Sequence, residues 1–332
     1  MESSTQDIVA FCQAPQDMAK IVTLYANKPA NCSFHIYVIN VKANFDFLMD
    51  LNLDAKIYYV KHKKLSNPLN IISMFFYLHK HFIKKIRRYK NAKIYFFSQY
   101  FDYVTPIFLS RLDRSNEFYF INIYKPELKL TSTSFIRKIF FKVFDLFFNV
   151  KLYPTKIGII PSYFYKLPTS TNEIELETKV PEKFQKNHTH NDKTSILLFE
   201  ANGNTEPYFT NYSKDLEKLI SLISSRFKIY IKPHPRLGYS PSLNDNSKFT
   251  IVSGRTPSEF INPNQFSCIL GIETSGTKDF VEKHPHVYSI IDLFSFKDNA
   301  DEFYKSHLKT ISNNKMKFIT SFDELNKKLS QL

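Results

Sequence analysis

Cysteine is scarce in this chain. Its 332 residues include three, Cys12, Cys32 and Cys268, far apart and never in Cys-x-x-Cys spacing. An odd, scattered set supports neither a disulfide framework nor a zinc site, and a reducing compartment is the simpler setting. Long apolar runs are also missing: no segment reaches the roughly 18 uncharged apolar residues of a spanning helix. The opening MESSTQDIVAFCQAP, with its acids and short apolar run, lacks the form of a secretory signal. The expected location is therefore the cytoplasm.

Carboxylates are absent from one stretch. Between Lys61 and Lys90 nine Lys or Arg occur and no Asp or Glu, interleaved with Ile71, Ile72, Met74, Phe75, Phe76, Leu78, Phe82 and Ile83. This reads as a basic amphipathic helix. A second segment, SFIRKIFFKVFDLFFNV (134–150), repeats the mixture. Such helices suit an anionic membrane surface, each nearby cation contributing about 1 kcal/mol. They equally suit a core-facing helix with a solvated basic edge. The net charge of +14 does not point to nucleic acid, because no nucleic-acid module is legible and the aromatics follow core periodicity.

With 43% hydrophobic and 16% aromatic residues the chain can bury two cores, and its length fits two domains of about 150 to 180 residues. In the first half, DIVAFC (7–12), SFHIYVIN (33–40), AKIYYV (55–60), AKIYFFS (92–98) and EFYFIN (117–122) read as buried strands alternating with helices, at 15–26 and from near Asp102 among others. That is the pattern of a parallel sheet covered on both faces. The polar, proline-containing stretch 166–193 reads as a linker between an N-terminal domain, 1–165, and a C-terminal one, 194–332. In the second half strands are expected at 195–201, 227–232, 248–253, 267–271 and 286–291, with helices at 212–225, 257–262 and about 275–283. The expected class is α/β: two Rossmann-like domains whose parallel sheets face one another across a cleft.

Ligands of open parallel sheets bind beyond the carboxyl ends of the strands, and three motifs fall there. In KPHPR, Pro233 and Pro235 stop the strand and stiffen the loop, so that His234, between Lys232 and Arg236, is suited to a phosphate. In GIETSGTKDF, Thr274, Ser275 and Gly276 gather hydroxyls and free N–H groups at an expected helix start, although Ser and Thr cap most helices. In GRTPSEF, Pro257 opens a short helix with Glu259 in its first turn, a carboxylate able to accept two ribose hydroxyls or simply to favour the helix end.

Together, KPHPR, PSEF and ETSGT in that order resemble the nucleotide domain of GT-B glycosyltransferases, in particular bacterial sialyltransferases of glycosyltransferase family 52. FCQAPQDMAKI, with Gln13, looks like that family's opening strand and turn. The resemblance implies a CMP-activated sugar donor. His234 would contact the CMP phosphate and act as general acid, Thr274, Ser275 and Gly276 would bind the same phosphate, Glu259 would bind the ribose, and Pro235 with its neighbours the cytosine. It implies no cofactor, and the lack of an Asp-x-Asp motif agrees with a metal-independent mechanism.

One departure stands out: where the family carries an acidic pair supplying the general base, this chain reads FINIYKPEL. Two substitutes are legible. Asp102 lies past a first-half strand end, and Glu200 lies at the end of the second half's first strand, ahead of Asn202 and a loop that Gly203 can tighten. The expected activity is inverting transfer of a nonulosonic acid, sialic acid first among them, to a hydroxyl of a glycan such as lipooligosaccharide or capsule. That acceptor would be assembled, lipid-linked, at the inner membrane face. CMP-Kdo or a CDP-polyol as donor, or a binder without turnover, remain open, as does a homodimer.

Overall fold

The computed structural model describes residues 6–61, 68–97, 102–122, 129–157, 160–187, 195–201, 206–233, 240, 243, 248–297 and 300–332. The chain divides into two compact units, Met1–Lys179 and Val180–Leu332.

In the first unit, β1 (Gln6–Cys12), β2 (Cys32–Ile39), β3 (Lys56–Val60), β4 (Lys93–Phe96), β5 (Glu117–Ile121) and β9 (Thr171–Ile174) form one parallel sheet in the order β3-β2-β1-β4-β5-β9. The central strand β1 is almost wholly apolar and buried, as a strand covered on both faces must be. Helix α1 (Pro15–Ala26) starts with Pro at its first position, and Asp17 in its first turn accepts the backbone N–H groups of Gln13 and Ala14, both at 2.8 Å. Further helices are α2 (Lys42–Asp50), α3 (Pro68–Leu78), α4 (Lys84–Ile86), α5 (Val104–Arg111) and α6 (Phe135–Phe148). A π-helical turn, His79–Ile83, joins α3 to α4, so the basic segment is helical from Pro68 to Ile86. The core is rich in aromatic rings: the Phe108 ring lies 5.7 Å from Phe11, 5.8 Å from Tyr37 and 6.1 Å from Phe82.

Two features depart from the sequence reading. Strands β6 (Lys129–Leu130), β7 (Leu152–Ile157) and β8 (Ile160–Tyr165) form a small antiparallel sheet that the βα alternation did not announce. The expected linker 166–193 also contains β9, paired in parallel with β5, while the division between the units, Lys179/Val180, falls inside that stretch. The physical reason is position. An edge strand is covered on one side only, so the half-exposed TNEI carries little of the apolar signature of a central strand.

The second unit repeats the plan. Strands β10 (Ser195–Phe199), β11 (Lys228–Lys232), β12 (Phe249–Ile251), β13 (Cys268–Gly271), β14 (Val287–Ser289) and β15 (Lys317–Phe318) are all parallel, in the order β12-β11-β10-β13-β14-β15. This 3-2-1-4-5-6 order is the doubly wound Rossmann arrangement. Helix α7 (Tyr212–Ser224) turns Leu216, Leu219, Ile220 and Ile223 into the core, and α8 (Ala300–Ile311) and α9 (Phe322–Leu329) complete the unit.

The helix expected over 275–283 is instead a five-residue 3-10 segment, Ser275–Asp279. Local bonds compete with a longer helix: Gly276 N–H donates to Thr274 Oγ1 and Thr277 Oγ1 donates to the Thr274 carbonyl. A helix dipole of useful length is therefore not available at this point.

Phe108 is fully buried among three aromatic rings, so truncation leaves a cavity that rigid neighbours cannot fill. Phe108→Ala is expected to cost about 3–5 kcal/mol, measured as a lower urea midpoint at unchanged slope; a loss within experimental error would contradict the packing described.

Candidate functional site

Strand register assembles the candidate site of the second unit. Phe199 at the end of β10 pairs with Lys232 on one side and with Gly271 on the other. The ends of β11, β10 and β13 thus lie side by side at the carboxyl edge of the sheet. KPHPR, the Glu200 segment and GIETSGT leave from those three neighbouring ends. The strand order reverses between β10 and β13, which is the switch point where doubly wound sheets bind ligands.

At this edge the Thr274–Gly276 turn follows β13. A side chain at Gly276 would begin 3.0 Å from the Phe199 ring, and one at Gly271 would begin 2.4 Å from the Thr277 methyl. Both glycines permit close approach, so the turn sits down on the strand ends. Thr274 Oγ1 accepts from Gly276 N–H, leaving its own proton to donate. The backbone of Ser275 belongs to the same turn.

Lys232 is buried, and its ammonium donates to the Pro233 carbonyl at 2.9 Å and the Gly254 carbonyl at 3.3 Å. Burial pushes it down to about 8, the Glu259 carboxylate partly offsetting the shift. Lys232, expected to flank a phosphate, ties the start of its own loop to Gly254, just ahead of the PSEF segment.

Glu259 lies on the 3-10 segment Ser258–Phe260, and here the structure supplies residues that sequence reasoning missed. The Ser258 hydroxyl lies 3.2 Å from Glu259 Oε2 and 2.8 Å from Asp279 Oδ2. One hydroxyl proton cannot serve two carboxylates at once, so the trio is balanced when one carboxyl holds a proton. Burial, and then the Asp279 charge, push Glu259 up to about 7; burial also raises Asp279. Asp279 stands in the quoted GIETSGTKDF, but nothing in sequence spacing pairs it with Glu259.

Glu200 is buried. Its two oxygens lie 3.0 and 3.2 Å from the Ser240 N–H, and the Tyr212 hydroxyl is 3.5 Å from Oε1. It fastens Ser240 to the end of β10. Asn202, Gly203, His234, Pro235 and Arg236 lie outside the described residues, as does the side chain of Ser275.

In the first unit, two expected residues converge. Asp102 Oδ1 accepts the N–H groups of Val104 and Thr105, capping α5, while Gln13 Nε2 donates to Thr105 Oγ1 at 2.7 Å. Gln13 and Asp102, separated by 89 positions (102 − 13), therefore share Thr105 beyond the ends of β1 and β4. Tyr163 from β8 closes on the same place: it is buried, stacks on Tyr103 at 4.5 Å, and burial followed by the Asp102 charge raises its phenol well above the ordinary value. Among the described residues no group of three His, Cys, Asp or Glu is arranged to hold a metal ion.

No family model matches the chain, and no curated protein matches it. Several solved structures are similar in outline. A UDP-GlcNAc 2-epimerase from Methanocaldococcus jannaschii aligns at 12% identity and a TM-score of 0.49, covering 98% of this chain and 92% of that one. MurG from Acinetobacter baumannii aligns at 10% and 0.40, covering 98% and 90%. The calicheamicin glycosyltransferase CalG4 aligns at 8% and 0.45, covering 99% and 89%. At these values the likeness transfers no chemistry, and the description of both units as doubly wound rests on their own strand order.

The raised Glu259 carboxyl gives a signed pH dependence. Its folded value lies above the usual 4.5, so its contribution to stability is complete below about 4.5 and is lost as pH rises to about 7. Melting of the wild type against Glu259→Gln at pH 4.5 to 7.5 is expected to show a decline that the variant lacks; parallel curves would remove the shared-proton description.

Proposed function

We propose that the chain is a GT-B-type, metal-independent glycosyltransferase that moves a nonulosonic acid from a CMP donor to a glycan hydroxyl with inversion. The observation that carries this reading is the register Lys232–Phe199–Gly271, which supports a single nucleotide site made from KPHPR, PSEF and ETSGT at the switch point. In this reading the acceptor oxygen forms a bond to the anomeric carbon while the bond from that carbon to the CMP phosphate breaks. Charge develops on the departing phosphate, which His234 protonates. The Thr274 hydroxyl and turn N–H groups stabilise the same charge electrostatically. Glu259, with Ser258 and Asp279 behind it, accepts ribose hydroxyls. The proton of the acceptor hydroxyl goes to a carboxylate.

Of the two carboxylates weighed as base, Asp102 fits better than Glu200. Asp102 sits with Gln13, Thr105 and Tyr163 beyond the strand ends of the first sheet, in the unit expected to receive the acceptor, whereas Glu200 fastens the Ser240 N–H to the end of β10. The same capping bonds favour a second reading, a nucleotide-sugar binder without turnover, in which both carboxylates are purely structural.

Nucleotide release from CMP-sialic acid, CMP-Kdo, CDP-glycerol and UDP-GlcNAc, each with glycan acceptors, separates these readings. CMP-sialic acid is expected to turn over; release from CDP-glycerol alone would replace glycosyl transfer by polyol-phosphate transfer, and binding without release would favour the second reading. His234→Ala is expected to lower kcat by about 10²–10⁴. Asp102→Asn should lower kcat while the fold survives, and Glu200→Gln should chiefly lower the melting temperature. Near-normal turnover in Asp102→Asn would remove Asp102 as the base.

A further inference from the structure

Helix α6 has two faces with different fates. Phe141, Phe144 and Phe148 are buried in the first unit's core, as a core-facing helix requires. Its other side exposes Phe135 (77%), Ile136 (79%), Ile139 (41%) and Leu146 (82%), and none of the described residues covers these side chains. Single exposed apolar residues need no explanation, but four on one 14-residue helix do. Lys138 and Lys142 are exposed among them.

Helix α3 lies alongside, its Phe75 ring 5.5 Å from Phe147 and 5.9 Å from Phe148. It adds exposed Leu69 and Phe76, and the helical run continues into exposed Lys80 and Lys84. Across Pro68–Ile86 and Phe135–Phe148 the only carboxylate is Asp145.

The combination selects an occupant. A second copy would bring two basic faces together. Nucleic acid would reward the lysines and leave the Phe, Ile and Leu side chains unused. A bilayer with anionic headgroups meets both features, since phosphates pair with the ammonium groups while the apolar side chains enter the boundary with the acyl chains. Among the described residues no helix is long and apolar enough to cross a membrane, so the contact is peripheral.

We propose that the exposed sides of α3 and α6 form a face that lies on an anionic phospholipid bilayer, seated by the apolar residues of α6 and held by Lys138 and Lys142. This stands apart from the donor reading, because lipid binding is measured with no nucleotide present. Full-length protein is co-sedimented with vesicles of phosphatidylcholine alone or with about 30% phosphatidylglycerol. Binding is expected only to the anionic vesicles, falling at high salt. Phe135→Ser/Ile136→Ser/Leu146→Ser and Lys138→Glu/Lys142→Glu are each expected to weaken it by about tenfold or more, with melting temperatures near wild type because the positions are exposed. The control Lys327→Glu/Lys328→Glu, exposed on α9, should bind like wild type. No binding to anionic vesicles, equal loss in the control, or undiminished binding in both α6 variants overturns the proposal. So does a change in oligomeric state caused by the α6 variants without lipid, which would make the face a subunit interface.

Discussion

Parallel pairing of β10 with β11 and β13 is the constraint on which the second unit depends. Parallel strands cannot be joined by tight turns, so each must be followed by a return segment, and all of them end at the same edge. Once Phe199 stands opposite Lys232 and Gly271, three loops distant in sequence share one place in space. Burial of the strands on both faces fixes that register, since a slip by one residue would turn Ile196 and Leu198 away from the α7 side and disorganise the core.

The chemistry at this edge is built from polar groups largely removed from water and therefore obliged to find partners. Lys232 satisfies its ammonium on two carbonyls and Glu200 its carboxylate on the Ser240 N–H, each closing a loop onto a strand end. Glu259 and Asp279 share the Ser258 hydroxyl, and burial first, then the Asp279 charge, holds the Glu259 carboxyl above its ordinary value. Charges that look catalytic in sequence thus first serve to fasten loops, which holds the remaining groups in place. In the first unit Asp102 plays the corresponding part, binding the start of α5 and, through Thr105, the Gln13 turn.

Much of this was legible from residue pattern. The buried runs at β1, β2, β10, β11 and β13 lie where apolar continuity placed them, because a strand covered on both faces has no solvent side to encode. Strand β9 escaped notice for the opposite reason, being a polar, half-exposed edge. The expected helix after Thr274 failed because the Thr274 and Thr277 hydroxyls bond to the local backbone, a competition that composition does not resolve.

The sequence by itself determined two α/β halves, the strand ends at which chemistry can gather, and two basic, Phe-rich helices. These are local properties, set by periodicity and by what proline, glycine and charge permit. Only the tertiary structure decided that Glu259 meets Asp279 through Ser258, that Gln13 meets Asp102 through Thr105, and which side of α6 is core and which is left exposed. Such pairings depend on strand order and register, and these are fixed by the long-range closure of the core rather than by any segment read alone.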